Sequence, residues 1–408
     1  MRILIVTQTY AHGNGQASFT IHLAESMARQ GHQVMVITPS ERMNSYSICQ
    51  NEVRVEKVAA VYMSILHPTI YVTPFPADRV KQLLHEFQPD VVHIQDHYFL
   101  CEAAVNEARR LNIPLIGTNH FLPENLLPFF RKFPHVQHLF TIPLWKMMLS
   151  VFNKLDVAIT PSRTAARILQ DQDIQIPVRT ISNGVDTNRF YPDPNTDRLG
   201  IRQKYLLAPD RTLFLYVGRL DGEKGLDTLL EAVSLLPSDS FQLAIAGRGL
   251  YRSALEKQAQ ELGLEGRVVF IGFVAPEHLP ALYNSADIFV MPSPEELQSI
   301  ATLEAMACGK PILAADGRAL PELVEPGVNG YLFQPVQAKD AAHKMNRLIG
   351  EQENWAAMGQ ASFERSQKHS LQNTILYYEE QYRMATEKIR FEKRNIAIPN
   401  KVSEKSLQ

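Results

Sequence analysis

The fold is decided by Ala286–Met291 (ADIFVM) and, after a short loop, by Pro294–Ala307 (PEELQSIATLEAMA). The first stretch is a short apolar run typical of a buried strand, and the second starts as a loop and continues with helical spacing. A strand, a loop and a helix in this order form the repeating unit of a parallel α/β sheet. The helix N-terminus offers unpaired N–H groups and a positive dipole end, where a phosphate group can bind.

Two carboxylates flank this predicted helix start, Glu296 in the loop and Glu304 in the helix. With a diphosphate at the helix N-terminus, one carboxylate can reach a sugar and the other a ribose. By itself the pair is equally consistent with two solvated acids, because acids are favoured around a helix start in any case.

The same unit recurs along both halves of the chain. Short apolar runs alternate with amphipathic helical patterns, which indicates parallel sheets covered on both faces. The predicted strands are Ile3–Thr7, Gln33–Thr38, Val91–Ile94, Leu115–Thr118 and Val157–Thr160, then Leu213–Val217, Gln242–Ala246, Val268–Ile271, Ile288–Met291, Ile312–Ala314 and Gly330–Leu332. We therefore predict an α/β protein with two doubly wound Rossmann-like domains facing one another across a cleft.

The composition suggests where these domains begin and end. Residues 1–182 form the first predicted domain, and residues 211–372 form the second. Residues 183–210, rich in Asn, Asp and Pro, are the predicted linker. We expect a helix at 374–394 to complete the first domain, and a disordered tail at 395–408.

Charge and cysteine content exclude several classes of protein. The net charge of −2 over 408 residues argues against binding nucleic acid by bulk charge. Cys49, Cys101 and Cys308 form neither a metal-binding spacing nor a disulfide framework, which favours a reducing compartment. No run of 18 uninterrupted apolar residues is present, so we expect a soluble or peripheral protein.

Three predicted turns that follow strands carry candidate ligand contacts. Arg219 and Lys224 lie in Tyr216–Gly225 (YVGRLDGEKG), where two cations suit a diphosphate whose charge grows as a sugar departs, although solvated surface cations have the same pattern. His120 follows the strand Leu115–Thr118 and can contact a sugar or accept a proton, or serve a structural role. His12–Gln16 (HGNGQ) is either a ligand-approaching loop or a tight turn, because it lacks the full dinucleotide fingerprint.

A metal site and a membrane surface are the two remaining candidates. Asp171 and Asp173 match a D-x-D pattern, but no carboxylate cluster supports it, and we predict no catalytic metal. The acid-free stretch Leu126–Leu155 interleaves apolar and aromatic residues with Arg131, Lys132, Lys146 and Lys154. This composition fits either a surface that enters an anionic membrane or a core helix with extended cations.

Taken together, the Arg219 and Lys224 motif, the Glu296 and Glu304 pair, and Ile181–Phe190 (ISNGVDTNRF) resemble the retaining glycosyltransferases of family 4, which have the GT-B fold. The resemblance implies a nucleotide-sugar donor bound mainly by the second domain and a metal-independent transfer that retains the anomeric configuration. The implied catalytic residues are His120, Glu296, Arg219 and Lys224. The implied donor contacts are Gly15, Gln16, Arg219, Lys224, Glu296, Gln298, Ser299, Ile300 and Glu304.

The chain departs from the family at Gln298-Ser299, where Phe-Gly is frequent, and this leaves the donor's identity open. Thr118–Asn125, followed by the basic and aromatic stretch, resembles the subgroup that glycosylates diacylglycerol. We therefore expect UDP-glucose as the donor, diacylglycerol as the acceptor, and a cytoplasmic enzyme attached peripherally to the inner face of the plasma membrane.

Three alternatives are weighed against this prediction. The first is a transferase of the same fold that acts on a polyprenyl-linked or soluble glycan. The second is a nucleotide-sugar-binding module without turnover, against which the two glutamates argue. The third is a dinucleotide oxidoreductase, which the incomplete glycine fingerprint disfavours.

Overall fold

The structure, a computed structural model, describes residues 1–11, 15–63, 71–123, 137–237 and 240–396. Strands and helices alternate along them and form two separate, largely parallel sheets, as predicted. Among the helices of these residues, none has both the length and the apolar composition needed to span a bilayer.

The first sheet is built by the N-terminal part of the chain. Its described strands have the order β10-β9-β8-β7-β1-β2-β4-β3, and only β3 runs antiparallel to its neighbour. These strands are β1 (Arg2–Val6), β2 (Gln33–Pro39), β3 (Tyr46–Gln50), β4 (Val53–Val58), β7 (Val91–Ile94), β8 (Leu115–Thr118), β9 (Val157–Thr160) and β10 (Val178–Thr180). A separate antiparallel pair consists of β5 (Val61–Tyr62) and β6 (Tyr71–Val72).

Helices cover the first sheet on both faces and bury its apolar side chains. They are α1 (Gly15–Arg29), α2 (Ala77–Phe87), α3 (Phe99–Arg110), α4 (Gln137–Phe152) and α5 (Arg163–Gln170). Because both faces are covered, the central strands are apolar almost throughout, and Ile3, Leu4, Ile5 and Val6 are each fully buried.

The second sheet is entirely parallel, with the order β13-β12-β11-β14-β15-β16. Its strands are β11 (Thr212–Val217), β12 (Phe241–Ala246), β13 (Val268–Gly272), β14 (Ile288–Met291), β15 (Ile312–Ala315) and β16 (Gly330–Phe333). The helices around it are α7 (Leu226–Ser234), α8 (Arg252–Glu261), α9 (Leu279–Ser285), α10 (Ile300–Ala307), α11 (Ala338–Gly350) and α12 (Trp355–Gln367).

The predicted linker, 183–210, packs against the second sheet. It contains α6 (Arg198–Lys204), whose start is capped by the Asp197 side chain accepting from the Gly200 N–H. Val185, Phe190 and Leu207 lie in the apolar core of the second sheet. Three buried apolar side chains thus anchor an otherwise polar segment.

The terminal helix α13 (Leu371–Ile396) returns to the first sheet, as predicted for 374–394. Tyr378 and Tyr382 are fully buried in the same apolar core as Ile3, Ile5 and Phe19. The helix extends two residues into the segment predicted to be a disordered tail. The rest of that prediction, 397–408, lies outside the described residues.

Candidate functional site

The loop Pro292–Ser299 of the second sheet meets the first domain. Leu297 is buried in the core that includes Val6 and Ile94, and Ile300 packs against the core around Phe19. A Cβ built on Gly15, the first residue of α1, would lie 3.6 Å from Ile300 Cδ1. The loops that follow β1 and β14 therefore face each other across the predicted cleft.

Lys224 and Glu296, both predicted site residues, form a direct ion pair. Lys224 Nζ donates to Glu296 Oε1 at 2.7 Å, and the two side chains are 16% and 13% exposed. Gly225 makes this approach possible, because it has a φ of +65° and a Cβ there would lie 2.5 Å from the Pro292 carbonyl oxygen. Burial alone would raise the pKa of Glu296, but Lys224 and hydrogen bonds hold that pKa below its ordinary value.

Arg219 lies beside this pair, but its guanidinium group is not an unpaired cation. It donates to Asp221 and, at 2.6 Å, to Glu223, and both of these carboxylates are buried. Arg219 itself is 43% exposed. The sequence prediction of two cations at a cleft mouth omitted Asp221 and Glu223, which stand in the same motif and balance the charge.

The start of α10 has the geometry expected of an anion site. Ser299 is its N-cap, and Ser299 Oγ accepts from the Thr302 N–H at 3.2 Å. This cap uses the third amide of the helix. The Ile300 and Ala301 amides belong to the first turn, whose N–H groups have no acceptor within the helix.

The side chain of Gln298 makes contacts that the sequence did not predict. Gln298 Oε1 accepts from the Asn183 N–H at 2.7 Å and from Ser182 Oγ at 3.1 Å. Ser182 also lies 3.0 Å from His369 Nδ1, and its carbonyl accepts from Thr374. The Gln298 side chain therefore joins the loop Pro292–Ser299 to the point where the chain crosses between domains, and its amide oxygen is already engaged there.

Glu304 differs sharply from Glu296 in its surroundings. The Tyr283 hydroxyl donates to Glu304 Oε2 at 2.7 Å. Burial raises the pKa of Glu304 to about 7, although Tyr283 and the charge of Arg189 pull in the opposite direction. Near neutral pH this carboxyl group is thus divided between its neutral and ionised forms.

On the opposite side of the cleft, His120 follows β8 and contacts a neighbouring strand end. Its Nε2 lies 2.8 Å from Oε1 of Gln95, the residue after β7. Burial lowers the pKa of His120 to about 3, so the ring is neutral. Gln16, in the first turn of α1, donates to the Gln95 carbonyl at 3.1 Å. The rest of the glycine motif, 12–14, lies outside the described residues.

Gln95 and Asn119 were missed by the sequence reasoning. Both are buried at carboxyl ends of parallel strands, the edge at which ligands bind in this type of sheet. Asn119 Oδ1 accepts from the Phe121 N–H, and Asn119 Nδ2 has no hydrogen-bond partner. Their positions next to predicted strands were the available signal, whereas a lone amide side chain carries no motif.

The D-x-D pattern does not form a carboxylate cluster. Asp171 ends α5 as its C-cap, and Asp173 stands in the turn that follows. Within the described ranges, no group of three or more His, Cys, Asp or Glu side chains is arranged to hold a metal ion. Metal independence remains a prediction.

The candidate membrane surface is only partly described. Along α4, Ile142, Lys146 and Met147 are exposed, while Trp145 and Met148 are buried. Lys154 lies beyond the end of α4, and its Nζ donates to Asn106 of α3 at 3.0 Å. Lys146 and Lys154 therefore do not share one helix face, and Arg131 and Lys132 lie outside the described residues.

Two family models together match most of the chain. The model described as "Glycosyltransferase Family 4" matches residues 13–189, and "Glycosyl transferases group 1" matches residues 197–365. The chain also has the same fold as solved GT-B structures. The chain therefore belongs to the family 4 glycosyltransferases of the GT-B fold.

Similar proteins support this placement over nearly the whole chain. The sulfoquinovosyl transferase SQD2 of Arabidopsis thaliana is 24% identical, over 97% of this chain and 73% of its own. The alpha-monoglucosyldiacylglycerol synthase of Streptococcus pneumoniae is 27% identical, over 82% of this chain and 75% of its own. The crystal structure of Anabaena Alr3699/HepE in complex with UDP-glucose matches with a TM-score of 0.75 at 22% identity, covering 93% of this chain and 99% of that one.

Proposed function

We propose that this glycosyltransferase moves a hexose, glucose, from UDP-glucose to the hydroxyl group of diacylglycerol. The observation that carries the proposal is the Lys224–Glu296 ion pair in the loops before α10, whose first residue, Ile300, approaches Gly15 of the first domain. The pneumococcal relative is named for a glucosylated diacylglycerol, and the Anabaena structure was solved with UDP-glucose.

On the donor side, charge and backbone dipoles suit a departing diphosphate. Lys224, Arg219 and the Ile300 and Ala301 amides would hold the two phosphates, with Ser299 fixing the helix start. Glu296 would face the sugar, and Glu304 would accept from ribose hydroxyl groups. Gly15 lets the first domain approach this site without a side chain in the way.

The proposed reaction keeps the configuration at the sugar carbon. The bond from C1 to the diphosphate oxygen breaks, and the acceptor oxygen forms a new bond to C1 on the same face. The acceptor proton passes to the leaving diphosphate, whose added negative charge Lys224 and Arg219 stabilise. His120 would contact the sugar near C1. No metal takes part in this scheme.

On the acceptor side, the proposal places the protein at a membrane surface. Ile142 and Met147 are apolar and exposed on α4, and Lys146 lies between them. An exposed apolar face with a cation suits the headgroup zone of an anionic bilayer. This surface would bring the first domain to a lipid acceptor on the inner face of the plasma membrane.

A turnover assay tests reaction, donor and acceptor together. UDP-glucose, UDP-galactose and GDP-mannose are each offered with diacylglycerol in mixed anionic liposomes, with and without excess EDTA, and lipid products are read by mass spectrometry. We expect glucosyl-diacylglycerol from UDP-glucose alone, at the same rate in EDTA. Donor hydrolysis without a lipid product would reject diacylglycerol and direct the search to polyprenyl-linked and soluble glycans. A strict divalent requirement would reject the metal-free scheme.

A further inference from the structure

A buried row of polar side chains connects the terminal helix α13 with the first sheet. Tyr382 Oη lies 2.7 Å from His93 Nδ1, and His93 Nε2 lies 2.8 Å from Thr118 Oγ1. Thr118 Oγ1 in turn lies 3.0 Å from Tyr378 Oη. All four side chains are fully buried, and each polar atom has a partner, as burial requires.

Gln95 extends this row to His120. It stands two residues after His93, and residues two apart in a strand share a face. Gln95 Nε2 lies 3.2 and 3.3 Å from the two ring nitrogens of His93, and Gln95 Oε1 lies 2.8 Å from His120 Nε2. Because a carbonyl oxygen only accepts, His120 Nε2 carries the proton in this arrangement and Nδ1 carries the lone pair.

We propose that Gln95 is a positioning residue that holds His120 as its Nε2–H tautomer and leaves Nδ1 as an acceptor for a sugar hydroxyl group. We further propose that Tyr378 and Tyr382 of α13 hold Gln95 in place through Thr118 and His93. The contact with the sugar rests on the function proposed above, whereas the tautomer and its support do not.

Gln95 lies between two histidines. Its amide nitrogen faces His93, whose ring nitrogens also engage the hydroxyl groups of Tyr382 and Thr118. Gln16 donates to the backbone carbonyl of Gln95, and the Phe19 ring packs 5.0 Å from His120 and 5.4 Å from Tyr378, centre to centre. Since His120 is neutral, its tautomer is what these contacts control.

Nitrogen NMR of histidine-labelled protein tests the tautomer directly, with His120→Gln used to assign the signals. In the unaltered protein we expect the Nε2–H form and no titration of His120 between about pH 5.5 and 8, because its pKa is about 3. In Gln95→Glu, a carboxylate next to Nε2–H favours the doubly protonated ring, so His120 should begin to titrate and kcat should acquire a new pH dependence. An Nδ1–H form in the unaltered protein, or unchanged His120 signals in Gln95→Glu, would overturn the proposal.

Gln95→Met keeps the side-chain volume. It is the alternative variant if the carboxylate of Gln95→Glu impairs folding. It should give a mixture of His120 tautomers and lower kcat on the order of tenfold, with the donor KM nearly unchanged, as for loss of orientation. A single Nε2–H form in this variant would show that Gln95 does not set the tautomer.

The role of α13 is tested by Tyr382→Phe, matched with Tyr377→Phe at an exposed position of the same helix. We expect shifted His120 signals and a severalfold lower kcat only in Tyr382→Phe. A loss of thermal stability without either change would reject the contribution of α13. If the tautomer results hold while His120→Ala transfers sugar at the normal rate, the positioning stands and the proposed sugar contact fails.

Discussion

The two sides of the cleft differ in the kind of polar group they present. On the side of the second domain, Arg219, Lys224 and Glu296 are charged and paired within the site. On the side of the first domain, Gln95 and Asn119 are buried amides, and His120 is a partly buried, neutral ring. The second-domain residues named here are therefore ionic, and the first-domain residues named here are neutral.

This difference matches the proposed roles of the two sides, in which the second domain holds the diphosphate and the first domain contacts the sugar. A departing diphosphate gains negative charge, and cations or helix N-termini stabilise it. Sugar hydroxyl groups need hydrogen-bond partners of fixed direction but no charge. The ionic side also pairs both of its cations with carboxylates before a donor binds, so donor phosphates would have to exchange partners with Asp221, Glu223 and Glu296.

The largest expected effect comes from removing a cation on the ionic side. Lys224→Ala and Arg219→Ala should each reduce kcat on the order of a hundredfold or more, because each contact strengthens as charge develops on the leaving group. Steady-state kinetics with UDP-glucose measure this. Lys257→Ala, an exposed lysine of α8, is the control. Near-normal rates in both site variants would reject the diphosphate assignment.

The next effect concerns pH and the two glutamates. Since burial raises the pKa of Glu304 to about 7, this group is mostly protonated at pH 6 and mostly ionised at pH 8. If ribose hydroxyl groups bind the ionised form, UDP-glucose affinity should rise by roughly tenfold from pH 6 to pH 8. Calorimetry without acceptor measures this affinity.

Glu304→Gln is the matched variant for this pH effect. It should bind the donor more weakly and remove most of the pH dependence. Glu296 should contribute no such dependence in this range, because its pKa lies below its ordinary value. An equal pH dependence in Glu304→Gln would assign the effect to another group.

A smaller effect is expected at Gln298, whose side chain accepts from Ser182 and Asn183 at the point where the chain crosses between the domains. Gln298→Ala leaves the buried Asn183 N–H without its acceptor, at a cost of about 1–3 kcal/mol. We expect a lower Tm and a donor KM raised by up to about tenfold, since the loop Pro292–Ser299 loses its link to Ser182.

Two variants separate this structural role of Gln298 from a direct donor contact. Gln298→Glu retains the acceptor oxygen and should restore much of the loss in Gln298→Ala. Gln360→Ala, at an exposed position of α12, is the control. A raised KM without any change in Tm would instead favour direct contact of the Gln298 side chain with the donor.

The smallest effect is expected on the outer surface of the first domain, on and after α4. Lys146→Ser should weaken binding to anionic liposomes by up to about fivefold, as for about 1 kcal/mol per basic residue near such a surface. Lys154→Ser should change binding less, because this amine donates to Asn106 of α3. Sedimentation with vesicles measures both. Equal losses in the two variants would place the membrane surface elsewhere on the first domain.

Much of the fold could be predicted from the sequence, because buried parallel strands are short apolar runs and amphipathic helices follow them. The pair β3 and β4 was missed because β3 lies at the sheet edge, is largely exposed and lacks the apolar run of a central strand. The packing of the predicted linker on the second sheet could not be read from the sequence, because Val185, Phe190 and Leu207 are isolated among polar residues.

Within the site, the sequence alone determined which residue types follow the strands: the cations, the two glutamates, His120 and the glycines. Local spacing is enough for this, since each lies in the loop after one predicted strand or within the helix that follows it. Tertiary structure alone decided that Lys224 pairs with Glu296, that Gln298 reaches the domain crossing, and that Gln95 lies between His120 and a His93 side chain in contact with α13. These contacts join residues from about 25 to several hundred positions apart in the chain, so local spacing does not reveal them. Burial also shifts the pKa of each residue according to its own surroundings. For this reason two glutamates eight residues apart have pKa values shifted in opposite directions.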